Sequence, residues 1–182
     1  MKSTTSFLGL IIILALSCTP ATDEAGTKGT DPQSEPPVSA EEKAITQAVN
    51  AAYAAISFEE GTIPDYEALS ALFTPDAVLQ NFRGDTLESY SISEFVEGYK
   101  AGVEAGGMIA FRETELGGET EYFGKIAHRI SAYASYINGA SEIGERGVNS
   151  FQLLKIDGRW LISTIIWDVE EEGLAIPQKY LD

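Results

Sequence analysis

The chain has 182 residues, 28 acidic and 12 basic, for a net charge of −16 at neutral pH. That balance excludes a phosphate-binding surface, which needs clustered Lys and Arg. One Cys and one His exclude an internal disulfide and the usual zinc sets. No GxxxxGK[ST], GxGxxG or GxSxG string is present.

In chain order, Lys2 is the only charge before Asp23, and Phe7 to Leu16 is an unbroken apolar run. The run is too short to span a bilayer and suits the apolar part of a secretory signal. Ser17 and the lone Cys18 follow. The string Leu14-Ala15-Leu16-Ser17-Cys18 resembles the signal of a bacterial lipoprotein. Ala15 stands where the commonest form has Leu. The resemblance implies that residues 1–17 are removed, that Cys18 is lipidated, and that the protein is anchored in the cell envelope outside the cytoplasm. Residues 18–39 then form a tether. Residues 19–39 hold four of the seven prolines and no aromatic residue, so they cannot bury enough apolar surface to offset chain entropy.

Residues 40–182 are expected to fold as one α+β domain. Ser39 to Glu42 reads as a capping box, with Ile45, Val49, Ala52, Tyr53 and Ile56 on one helical face. A short helix over 64–73 ends at Thr74-Pro75-Asp76. A strand over 77–82 leads into the Arg83-Gly84-Asp85 turn, read as a turn and not as an adhesion signal. Ser91 to Glu94 caps a third helix, striped by Phe95, Val96, Tyr99 and Val103 and ended by Gly106-Gly107. Strands are expected over 108–116, closed by Gly117-Gly118, and over 121–137. Two more, over 147–156 and 160–170, are joined by the hairpin signal Asp157-Gly158.

The strings AVNAAYAAI, YEALSALFTPDAVLQNFRG, GKIAHRISAYASY and RGVNSFQLLKIDGRWLISTIIWD span about residues 45–168. They resemble the SnoaL-like and ketosteroid-isomerase-like branch of the nuclear transport factor 2-like superfamily. The resemblance implies a cone: a curved antiparallel sheet wrapped around three N-terminal helices, with a pocket at its open end. It puts Tyr53 at the place of an oxyanion-donating tyrosine, Asn81 at the place of the aspartate base, Asn149 at the place of a protonated aspartate, and Trp167 in the pocket wall. Asn81 has no usable proton-accepting group, so the resemblance implies binding of a small apolar molecule with one polar end, without ketosteroid isomerisation. The alternative is a dehydratase or cyclase in which His128 is the general base and Tyr53 the oxyanion donor. No cofactor, metal or nucleic-acid partner is expected, and the open sheet face admits a homodimer.

Glu113 and Glu115 share a strand face. A turn at 117–118 would pair position 113 with about 122, far from His128, so both are expected to be exposed surface acids. Arg112 and Arg129 could hold an anion or lie on solvated strand faces.

Overall fold

The computed structural model describes residues 38–83 and 85–181. The signal segment 1–17, Cys18, nearly all of the tether and Gly84 lie outside the described residues.

The first helix, α1 (Ala40–Ile56), starts at Ser39, whose hydroxyl accepts from the Glu42 N–H at 3.0 Å. This satisfies one orphan donor of the first turn. Glu41 turns aside: its carboxylate receives Lys155 Nζ at 2.6 Å and Trp160 Nε1 at 3.1 Å. Ile45, Val49, Ala52 and Tyr53 are buried along one face, as the spacing predicts. A short α2 (Tyr66–Ser70) buries Leu69. The third helix, α3 (Ile92–Glu104), begins at a complete Ser91–Glu94 capping box.

Six strands form one sheet: β1 (Phe73–Arg83), β2 (Thr86–Ser91), β3 (Phe111–Phe123), β4 (Ile126–Ile137), β5 (Glu145–Ile156) and β6 (Arg159–Val169), in the order β2-β1-β6-β5-β4-β3. The helices cover its concave face. Ile45, Val49, Leu69, Phe151, Leu153 and Ile162 form the centre of the core. The Asp157-Gly158 turn is as expected, with both residues at positive φ (50° and 80°).

Three details of the sheet correct the expectations. First, the sheet is not wholly antiparallel. The meander β3–β6 returns to β1 on its fourth strand, which runs in β1's own direction, so β1 and β6 pair in parallel. Second, Thr74-Pro75-Asp76 does not precede β1 but lies inside it. The register breaks there, between Phe73 and Val78, and such a break accommodates a residue with no N–H to give.

Third, Gly117-Gly118 is not a turn. Strand β3 runs through it to Phe123 with an irregularity between Glu115 and Gly117, and the chain reverses at Gly124-Lys125, where Gly124 has φ 58°. A Cβ on Gly118 would lie 2.4 Å from the Ile130 carbonyl oxygen, and one on Gly117 would lie 2.7 Å from that of Tyr180. These glycines permit close backbone approach. The register follows from this: Glu113 pairs with Ser135 and Glu115 with Tyr133, not with residues near 122.

Candidate ligand-binding site

The cone holds a partly open cavity of about 160 Å³ beside the last turns of α1. Its apolar wall includes Ile56, Leu79, Phe95, Phe111, Ile165 and Trp167. Phe95 meets Trp167 edge-on at 6.5 Å and stacks on Tyr99 at 6.3 Å, and Tyr99 meets Phe111 edge-on at 6.5 Å. Linked rings of this kind make a stiff wall.

Tyr53, Asn149 and Trp167 line this one cavity, although they come from α1, β5 and β6. Asn149 Nδ2 donates to the Tyr53 hydroxyl at 3.0 Å. Tyr53 and Ser131 share a 2.7 Å hydrogen bond, and Ser131 gives its one proton to Glu115 Oε1 at 2.7 Å. Tyr53 is therefore the donor to Ser131. The chain ends at Arg129, whose Nε donates to the same Glu115 oxygen at 2.8 Å and whose Nη1 donates to Thr120 at 2.6 Å. With side chains 8% and 11% exposed, Arg129 and Glu115 form a buried ion pair, its shared Glu115 oxygen also accepting from Ser131.

Two consequences follow. Tyr53 spends its proton on Ser131 and is not free to donate into the cavity, contrary to the oxyanion-donor role. Burial, above all, also holds its hydroxyl above the usual tyrosine range. Glu115 is not a surface acid, and Arg129 is already neutralised. Arg112 lies 3.7 Å over the Tyr136 ring.

Glu113 is the residue that sequence reasoning missed. It lines the cavity rather than facing solvent. Its backbone N–H donates to Ser57 Oγ at 3.0 Å, and Ser57 Oγ donates to the Tyr53 carbonyl at 2.7 Å, which ties β3 to the end of α1. Burial pushes the Glu113 carboxyl up to about 8. The negative charge of Glu145 adds to this, and a hydrogen bond from Asn149 opposes it. At neutral pH the group is mostly a neutral carboxylic acid, able to donate one hydrogen bond. At the cavity edge Tyr133 donates to Glu145 at 2.8 Å. Among the described residues that line the cavity there is no Lys, Arg or His. The signal available in the sequence was Phe111, two positions before Glu113 and on the same strand face.

Asn81 does not line the cavity. It sits beside Trp167 in the β1–β6 register, with Oδ1 buried and without a hydrogen-bond partner. His128 is on the other side of the sheet. Ala127, Arg129, Ser131 and Tyr133 point inward, so His128 points outward, where its Nε2 lies 3.1 Å from Ser150 Oγ. Facing away from the cavity, His128 cannot act there as the general base.

No family model matches the sequence, and no curated protein matches it. Solved structures do match the fold. A protein of unknown function from Mycobacterium tuberculosis superposes with a TM-score of 0.60 at 19% identity, covering 78% of this chain and 85% of that one. A nuclear transport factor 2-like protein of unknown function from Methylobacillus flagellatus gives 0.51 at 24%, covering 74% and 97%. A candidate scytalone dehydratase from Novosphingobium aromaticivorans gives 0.57 at 14%, covering 72% and 85%. The described domain thus has the nuclear transport factor 2-like fold. At these identities the likeness defines architecture, and function rests on the site itself.

Proposed function

We propose that this domain binds a small, neutral, largely aromatic molecule with one hydrogen-bond-accepting end, outside the cytoplasm, on a chain anchored through lipid on Cys18. The observation that carries the binding reading is the cavity: apolar rings on most sides and one polar cluster, Glu113 with Asn149. A cavity of about 150 Å³ accommodates a single aromatic ring. Two acids and no cation at the lining disfavour a carboxylate ligand. A carbonyl or hydroxyl oxygen suits the neutral Glu113 carboxyl.

A second reading uses the same carboxyl as a proton carrier. A group titrating at about 8 is present in both forms near neutral pH, as a general acid–base requires. This moves the enzymatic alternative from His128 to Glu113. It draws support from neighbours of the same fold named as candidate dehydratases.

One experiment addresses both readings: NMR of acetophenone with the protein in D₂O. Saturation transfer to the acetophenone ring, stronger than to toluene or benzoate, is expected for binding. Preferential binding of benzoate, or no transfer at all, would sink the binding reading. Accelerated loss of the acetophenone methyl signal, absent in Glu113→Gln, is the outcome that favours proton transfer.

A further inference from the structure

The end of the cone opposite the cavity carries exposed apolar side chains. Phe123 is 83% exposed and Ile126 58%, with Leu154 and Ile156 beside them on the outward sheet face. Register makes these a patch: Phe123 pairs with Ile126, and Ile126 with Leu154. Val38, 53% exposed, joins the same end, because Ser39 Oγ and the Tyr122 hydroxyl of the next β3 residue share a 2.9 Å hydrogen bond. The turn segments touch one another as well, through Lys155 N–H to the Lys125 carbonyl at 2.9 Å.

The cavity lies at Ala52, Tyr53 and Ile56, more than three helical turns further along α1. At 1.5 Å per residue this is a separation of about 20 Å.

Two further observations say what covers the patch. The chain enters the domain here, so residues 18–37 attach Cys18 to this end and to no other. Charge agrees. Segments 38–43, 121–126 and 154–159 hold Lys43, Lys125, Lys155 and Arg159 against Glu41, Glu42, Glu121 and Asp157, a balance of 4 − 4 = 0. Residues 40–182 as a whole carry 10 − 24 = −14. In a strongly acidic domain a near-neutral end is repelled by an anionic lipid surface less than the domain as a whole. Exposed apolar side chains at an end without excess negative charge are the composition that settles into the headgroup boundary.

We infer that the Phe123–Ile126–Leu154 apex rests in the membrane interface, with the cavity mouth turned away from the lipid. The inference depends on lipidation of Cys18 as proposed above. It adds an orientation: the ligand is exchanged with the aqueous side and not drawn from the bilayer.

The test uses the full lipidated chain on vesicles of phosphatidylcholine with a minority of phosphatidylglycerol, some lipids carrying doxyl quenchers. Cys18 is the only native cysteine and is blocked by lipid, so Phe123→Cys supplies a single thiol for bimane. Ile63→Cys supplies the comparison: Ile63 is 73% exposed, beyond the far end of α1. The bimane at 123 is expected to shift to the blue and lose most of its emission to doxyl lipid, while the one at 63 keeps a water-like spectrum. Water-like emission at 123 on a vesicle-bound chain overturns the inference and leaves anchoring intact. So does a blue shift at 123 without doxyl quenching, which reports a second copy of the chain over the patch. A chain that does not stay with the vesicles overturns anchoring and the inference together.

Discussion

Glu113 decides what the cavity can hold. Its carboxyl is raised to about 8 by burial first and by Glu145 second, so the folded state keeps a proton that the unfolded chain releases near 4.5. Between those two values the native state binds more protons than the unfolded state, and stability must fall as pH rises. The slope contributed by this one group reaches about 1.4 kcal/mol per pH unit at most. Urea melts from pH 5 to pH 8.5 are expected to show the decline, and Glu113→Gln is expected to flatten it. Equal slopes in the two proteins would place the titration elsewhere. The neighbouring Tyr53 does a different job. Pinned between Asn149 and Ser131, it holds the polar end in one geometry and leaves Glu113 as the acid facing the cavity.

At the scale of elements, the glycines of β3 carry the most weight. A turn at Gly117-Gly118 would have left Glu113 and Glu115 on a solvated hairpin. A continuous β3 instead sets Glu115 opposite Tyr133 and Glu113 opposite Ser135, and so places one acid in a buried ion pair and the other in the cavity. The strand can pass only because no side chain fills the space next to the Ile130 carbonyl. Gly118→Ala is therefore expected to cost about 1–3 kcal/mol, the usual penalty of overpacking. Gly107→Ala, where nothing lies within 4 Å of the added carbon, is expected to stay within about 0.5 kcal/mol. Chemical denaturation of the two variants compares them directly, and equal costs would contradict the close-approach reading.

For the whole molecule the question is where the cone sits in the cell. Lipidation of Cys18 predicts that the native chain fractionates with membranes and that Cys18→Ser moves it to the soluble fraction. Membrane association retained in the Cys18→Ser variant would refute the anchor. Among the described residues no helix is long and apolar enough to cross a membrane. On this reading a lipid-held domain, acidic except at its apex, keeps its cavity open to water.

The sequence by itself determined the helices and the Asp157-Gly158 hairpin, because capping residues, helical spacing and turn residues act within a few residues of themselves, while the cone followed from the resemblance of whole strings. It also brought Tyr53, Asn149 and Trp167 to one cavity, through the resemblance of whole strings. What the tertiary structure alone decided was the facing of single strand residues. A two-residue side-chain period means that a shifted turn or a bulge reassigns every partner. Glu113 entered the cavity, Glu115 was buried with Arg129, and His128 turned outward. The first two outcomes hung on whether two glycines of β3 bend the chain or let the neighbouring strand come close. That depends on the carbonyl of Ile130, a residue distant in sequence and adjacent only after folding.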